Sequence, residues 1–398
     1  ALIKKTSLSN LINKIVIHNI VSKLEQIITS LGIMSGTSMD GIDFSLIKSD
    51  GKNKIYSEYN ITYEYPQELK NDIEKLIIYF NSFNFQEVLE SQKYRSTEKK
   101  FENFLKNKVY LFTKSFNISN DTIQIIGFHG QTLIHKPYKK ISIQLGNAKI
   151  LSNYFNIPFV SNFRQADIDC GGQGAPLVPI FHKAIFFDKQ NNLAVVNLGG
   201  ISNATWILKD GEMLASDIGP GNVLIDSYCR SNLDIPYDEN GRLAAKGKVQ
   251  NKLIDKWLKF SFVNNSIPKS FDNFEFKIDE FVKNKSNFDK FDLLATLTNF
   301  TARIVVNSQT LINKKINKWI ICGGGSKNLT LINYIKSLTK NVYTSDEFGW
   351  NADFVESQAF AYLAIRKFKK LKSSFKETTG TKKPVECGNI FYPNGNIL

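Results

Sequence analysis

Apolar positions along the chain fall into short blocks whose spacing changes from block to block. Residues 27–35 form a run of core-type side chains ending at a glycine, which predicts a buried strand. Residues 44–48 and 54–63 predict two strands joined around Asp50-Gly51, a dipeptide suited to a tight hairpin. From 66 to 116 the apolar residues recur at helical spacing, which predicts helix across the stretch. Strands are predicted again at 123–128, 194–197, 204–208 and 319–322, and helices at 293–311 and 354–368. Strands and helices alternate to the end without a simple repeat, a low-complexity linker or a proline-rich hinge, so the fold class is α/β.

Glycine clusters punctuate this pattern at 36–41, 171–174, 199–200, 219–221 and 323–325. Each closes a strand or opens a helix, where backbone N–H groups can meet an anion. One such turn is ordinary; five in one chain point to a shared polyanionic ligand. The chain has no G-x-x-x-x-G-K-[ST] and no G-x-G-x-x-G, which argues against a P-loop and a Rossmann dinucleotide site.

Length and composition narrow the classes further. A chain of 398 residues exceeds one ordinary core and predicts two domains. The net charge of +14 raises nucleic acid as a partner, but the lysines are dispersed and no nucleic-acid-binding motif accompanies them. The expectation is therefore no nucleic acid. Cys170, Cys229, Cys322 and Cys387 form no C-x-x-C pair and no disulfide framework, which predicts a reducing compartment and no zinc. No apolar run is long enough to span a bilayer, and 11–21 is interrupted by Asn13, Lys14, His18 and Asn19. Residues 1–26 read as an extension of unknown role.

Several clusters carry candidate chemistry. In Gly36-Thr37-Ser38-Met39-Asp40-Gly41-Ile42-Asp43, glycines admit a phosphate, hydroxyls can donate to it, and Asp40 or Asp43 can hold Mg²⁺. A polar hairpin turn is the structural alternative. Asn197-Leu198-Gly199-Gly200-Ile201-Ser202-Asn203 repeats the form of strand, small polar turn and strand. Two such hairpins, one in each half, are what an actin-like ATPase uses to grip ATP phosphates; Asn197 stands where that fold often has Asp. Asp217-Ile218-Gly219-Pro220-Gly221-Asn222 leads into a helix, and Cys322-Gly323-Gly324-Gly325 runs from a strand into a helix, as an adenosine-binding turn does. Asp167 precedes the glycines at 171–174 and is a candidate general base, or else a cap or a partner of Arg164. Gly127-Phe128-His129-Gly130-Gln131-Thr132 ends a strand, and His129 can bind sugar or phosphate or serve as a structural group. Asp353 and Glu356 open a helix and, three apart, share a face.

Taken in order, GTSMDGID, FHGQT, GGQGAPLVP, NLGGISN, GPGN and CGGG resemble the anhydro-N-acetylmuramic acid kinase family, from about Leu31 to the C-terminus. The resemblance implies a two-lobed actin-like, ribonuclease H-like fold with ATP in the cleft. Lobe I would be 27–175 plus 352–398, and lobe II 176–351. It implies a cytoplasmic enzyme of peptidoglycan recycling, a homodimer, using ATP and Mg²⁺ on a small-molecule sugar. In the family, water opens 1,6-anhydro-N-acetylmuramic acid at the anomeric carbon and the freed O6 takes the γ-phosphoryl group. Asp167 aligns with the family's base, Glu356 with a carboxylate that contacts the sugar, and 36–43 with the ATP loop. Asp40 is the metal candidate, and His129, Gly130 and Gln131 are further sugar candidates. Asp169 and Cys170 depart from the family's small apolar residues, and Asp169 can alter or share the role of Asp167. Another actin-like sugar kinase, or a non-catalytic ATP sensor, would carry the same nucleotide turns.

Overall fold

The computed structural model describes residues 26–36, 39, 41–271, 275–282 and 288–395. Most of the extension at 1–26, and Thr37, Ser38 and Asp40, lie outside the described residues. The strands are β1 Ile28–Ser35, β2 Gly41–Ser49, β3 Ile55–Glu64, β4 Ile125–Lys136, β5 Ile141–Leu145 and β6 Phe159–Ser161. They continue as β7 Leu193–Leu198, β8 Ile201–Ile207, β9 Met213–Pro220, β10 Lys318–Cys322, β11 Val342–Thr344 and β12 Asn389–Phe391.

They form two sheets, ordered β12-β6-β4-β1-β2-β3, with β5 beside β4, and β11-β10-β7-β8-β9. In the first, β1, β2 and β3 run antiparallel, then β4 joins β1 and β6 joins β4 in parallel. In the second, β7, β8 and β9 run antiparallel, then β10 joins β7 and β11 joins β10 in parallel. The same order and directions thus occur twice in one chain. This duplicated ribonuclease H-like topology is the actin-like fold expected from the sequence, and it sets β1–β2 and β7–β8 as equivalent hairpins.

Burial explains the uninterrupted apolar strands. In β7, Leu193 and Val195 face one core while Ala194, Val196 and Leu198 face another, all fully buried. The middle core lies between the sheets: Ile28, Ile47 and Ile125 of the first share it with Val195, Ile207 and Ile320 of the second. Helix Val355–Phe368 runs through this core, with Val355 and Ala359–Ile365 buried in it. Gly32 and Gly127 let the helix come close. A Cβ there would lie 1.9 Å from the Ser357 carbonyl oxygen and 2.1 Å from that of Phe360. The helix that begins beside the glycine turns is therefore fixed to the sheet by backbone contact.

Two expectations change. The helical stretch 66–116 divides into Gln67–Ser82, Phe85–Glu90 and Gln92–Ser115. Asn84 and Ser91 break it, because their side chains accept the N–H groups of Gln86 and Tyr94 and start new helices. The segment 127–132 lies inside β4 rather than at its end. The β1–β4 register shifts there, so that Phe128 and Gly130 face consecutive β1 residues and His129 is the extra residue of a bulge.

Candidate active site

Asp167 lies on the short helix Phe163–Asp169 and is fully buried. Both carboxylate oxygens are engaged. Oδ2 accepts the Gly174 N–H at 2.7 Å, and Oδ1 accepts the Thr379 hydroxyl at 2.7 Å. Glycine is required at 172, where a Cβ would fall 2.1 Å from Oδ2. The C-terminal segment braces this loop: Gln173 N–H donates to the Thr379 carbonyl and Lys382 N–H to that of Cys170. Asp169 is exposed and accepts from the Gln165 amide at 2.7 Å, two residues on and facing away.

Arg164 precedes Asp167 by nearly one helical turn. Its hydrogen bonds go to His129 Nε2 and to the Gly174 carbonyl, both at 2.9 Å, rather than to Asp167. Burial pulls the guanidinium below its ordinary pKa, while the charges of Glu356, Asp217 and Asp167 oppose that shift. The charges of these three carboxylates thus act together on one arginine. His129 is buried, and its Nδ1 lies 2.8 Å from the Gly130 carbonyl oxygen. Burial and the Arg164 charge hold His129 well below the usual imidazole range. Gln131 is also buried; its amide binds the Gly36 carbonyl at 3.2 Å and the Ser35 hydroxyl at 2.5 Å, tying β4 to the first hairpin.

Glu356 opens helix Val355–Phe368 and accepts from Asn197 Nδ2 at 3.2 Å. Burial raises its pKa, and Arg164 and Asn197 oppose this. Asp353 does not share its helical face: Phe354 has non-helical φ/ψ, and Asp353 pairs with Lys327 at 2.7 Å before the helix starts. Asp43 at the start of β2 is pushed up to about 6, chiefly by burial, against a Thr62 hydrogen bond and with help from the Glu356 and Asp353 charges. Asp217 in β9 is pushed up to about 7 by burial, although the Phe271 N–H donates to it at 2.8 Å. Its sequence motif signals no role for Asp217, since nothing there stands out beyond the glycines.

Three of the glycine turns, 199–200, 219–221 and 323–325, pack together. The Gly199 carbonyl accepts the Asn222 N–H at 2.8 Å, and the Gly200 carbonyl accepts the Gly221 N–H at 2.8 Å. A Cβ at Gly221 would meet Gly199 O at 2.4 Å, and one at Gly323, with φ +77°, would meet Asn197 Oδ1 at 2.1 Å. Gly325 packs on Leu198, whereas no atom lies within 4 Å of a Cβ on Gly324, so that turn presents an open backbone face. Gly219 has φ +145° and packs on Ile304. Ser202, within β8, has a buried Oγ without a hydrogen-bond partner. On β8, Asn203 faces Asn197 and Asp217 in the ladders. In the first hairpin, Met39 adopts φ +54°, and the Gly41 carbonyl accepts from Ser35 Oγ at 3.3 Å while Ile42 is buried.

The chain that carries this candidate site has relatives. The family model for anhydro-N-acetylmuramic acid kinase matches residues 28–393. The chain belongs to the anhydro-N-acetylmuramic acid kinase family. Anhydro-N-acetylmuramic acid kinase of Pelagibacter ubique is 40% identical over 390 residues, covering 93% of this chain and 100% of that one. Those of Rhodopseudomonas palustris and Paramagnetospirillum magneticum are each 35% identical, covering 92% of this chain and 99% of theirs. Among solved structures, component A of the Acidaminococcus fermentans (R)-2-hydroxyglutaryl-CoA dehydratase aligns at 12% identity over 85% of this chain and 98% of that one. Its TM-score of 0.43 is too low to add to the strand topology.

In this member of the kinase family, Glu356, Asn197 and the turns at 199–200, 221–222 and 323–325 are joined into one neighbourhood by shared contacts, and Arg164, on which the charges of Glu356 and Asp167 both act, links Asp167 to that group. His129 and Gln131 stand behind that neighbourhood, with their polar atoms on protein partners. Thr379 meets Asp167 across 212 positions, a contact that no local sequence pattern signals. No helix among the described residues is long and apolar enough to cross a membrane, and the four cysteines are unpaired.

Proposed function

We propose that this protein is an ATP-dependent kinase that opens 1,6-anhydro-N-acetylmuramic acid with water and phosphorylates O6. The products are N-acetylmuramic acid 6-phosphate and ADP, as a step of peptidoglycan recycling in the cytoplasm. The observation that carries this reading is the buried Asp167, whose two oxygens accept from Gly174 and Thr379. A carboxylate fixed by two donors is oriented to take a proton from water. A kinase that only transfers phosphate to a sugar hydroxyl does not need a base serving a ring carbon.

In the proposed reaction, Asp167 accepts a proton from water as its oxygen bonds to the anomeric carbon. The C1–O6 bond breaks, O6 takes the γ-phosphoryl group, and ADP leaves. Glu356 would hold the sugar between base and phosphate, since Asn197 ties it to the second phosphate hairpin. Phosphoryl transfer then needs positioning and charge stabilisation. The open backbone face at Gly324, in the turn that packs on the second hairpin through Gly323 and Gly325, would suit an anionic phosphate chain. Gly36–Asp43 would supply the other hairpin. Mg²⁺ would enter with ATP as its counter-ion. Among the described residues no three ligating side chains converge, so no step is assigned to a protein-bound metal.

We propose a cleft between lobe I, 27–175 with 352–398, and lobe II, 176–351; the two sheets, with strands in 28–161 plus 389–391 and in 193–344, support such a division. Closure of the lobes would exclude water other than the nucleophile. A homodimer fits the family reading. Substrate choice tests the proposal. Purified protein with ATP and Mg²⁺ should turn over the anhydro sugar and leave N-acetylmuramic acid and N-acetylglucosamine unphosphorylated. Preferred phosphorylation of a sugar without the anhydro bridge would replace this reading with that of an ordinary sugar kinase.

A further inference from the structure

The loop that carries the donor to Asp167 is itself held. Gly174 gives its N–H to Asp167 Oδ2, and its carbonyl accepts from Arg164 Nη1. Arg164 turns its Nε to His129 Nε2. A guanidinium only donates, so Nε2 must accept, and the single ring proton must then sit on Nδ1, against the Gly130 carbonyl. The bulge in β4 presents this ring, and Phe360 of the central helix lies against it at 4.6 Å. Gly130 makes room, with φ +77° and a would-be Cβ 2.6 Å from the Leu145 carbonyl oxygen. A continuous path therefore runs from the rigid sheet through His129, Arg164 and Gly174 to the carboxylate.

We propose that Arg164 is a positioning residue for Asp167 and that His129, as a neutral acceptor on the β4 bulge, sets the orientation of Arg164. His129 serves the base through this path rather than by touching the sugar. This rests on Asp167 being the base, as proposed above. Arginine suits this position because its planar fork reaches two acceptors at once, while its charge is balanced by Glu356, Asp217 and Asp167. Lysine would reach one of the two acceptors and leave the other unpaired.

The test uses full-length wild type and four variants: Arg164→Gln, Arg164→Lys, His129→Leu and His129→Gln. Arg164→Gln should lower kcat about 10²-fold, the usual effect of a displacement on the order of 1 Å at the reacting group. KM for ATP should not change comparably. Arg164→Lys should recover little. His129→Leu should fall in the same direction, and His129→Gln, which keeps an acceptor, should recover most of the loss. Hydrogen exchange of the 172–174 amides, measured without sugar, should quicken in Arg164→Gln and His129→Leu but not in His129→Gln. Exchange in helix Val355–Phe368 should stay unchanged. Unaltered loop exchange in Arg164→Gln, or equal loss of protection throughout the protein, would overturn the proposal. If wild type fails to turn over the anhydro sugar, the kinase reading falls, and the exchange data still decide whether Arg164 and His129 hold the loop.

Discussion

Replacing Asp167 by Asn changes one atom of the side chain and keeps its shape. Asn can keep one acceptor, and the Gly174 N–H, which only donates, demands it. The new amide NH₂ then faces Thr379, whose hydroxyl can rotate to accept it and donate instead to the Phe375 carbonyl 3.4 Å away. Fold and loop should therefore survive. The charge-assisted bonds weaken to neutral ones, which costs about 1 kcal/mol of stability. Chemistry should not survive, because an amide cannot take the proton of the attacking water. Loss of a general base typically costs about 10²–10⁴ in rate, or roughly 3–5 kcal/mol of barrier. The assay follows ADP and sugar phosphate together, with ATP affinity measured by calorimetry on the same samples. Near-native turnover by Asp167→Asn would refute the assignment of the base. Lost ATP binding alongside lost turnover would show that Asp167 acts on the fold rather than on water.

Three other substitutions probe the frame around it. Gly127→Ala drives a Cβ to 2.1 Å from the Phe360 carbonyl oxygen, and should lower the urea-unfolding free energy by roughly 1–3 kcal/mol, the usual cost of overpacking. An unchanged midpoint would mean that helix Val355–Phe368 is not pinned to the sheet. Gly323→Ala forces a side chain into φ +77° and onto Asn197 Oδ1, so calorimetry should show weaker ATP binding; undiminished affinity would remove this turn from the nucleotide site. Asp217, pushed up to about 7 in the folded protein, favours folding below about pH 4 and loses that contribution as pH rises through about 7. Asp217→Asn retains an acceptor for Phe271 and should be more stable than wild type at pH 8, by at most about 4 kcal/mol, with the gap closing near pH 4. A gap independent of pH would contradict the buried, charged carboxylate.

Much of the frame was readable from pattern. Doubly buried strands such as β7 and β10 are continuous apolar runs, and their alternating residues feed two cores. β9 was not legible, because Asp217, Gly219 and Pro220 are strand-averse, and only pairing with β8 makes them a strand. β6, β11 and β12 span three residues each, too few to show a period. Within the site, Asp167 stood out as an acid before a glycine loop. Its partners did not: Thr379 and the Asn197–Glu356 contact join positions 212 and 159 residues apart, and only the fold brings them together. His129 was legible as a polar residue in an apolar strand, but the bulge that turns it toward Arg164 depends on β1–β4 register.

The central claim is that one site couples ring opening to phosphoryl transfer. Its most direct test is mass spectrometry of the sugar product after incubation with ATP, Mg²⁺ and 1,6-anhydro-N-acetylmuramic acid, with ADP counted in parallel. The account predicts a product heavier than the substrate by both a phosphoryl group and a water, formed one-for-one with ADP. ADP released without sugar phosphate, or a phosphorylated sugar that still carries its anhydro bridge, would contradict it.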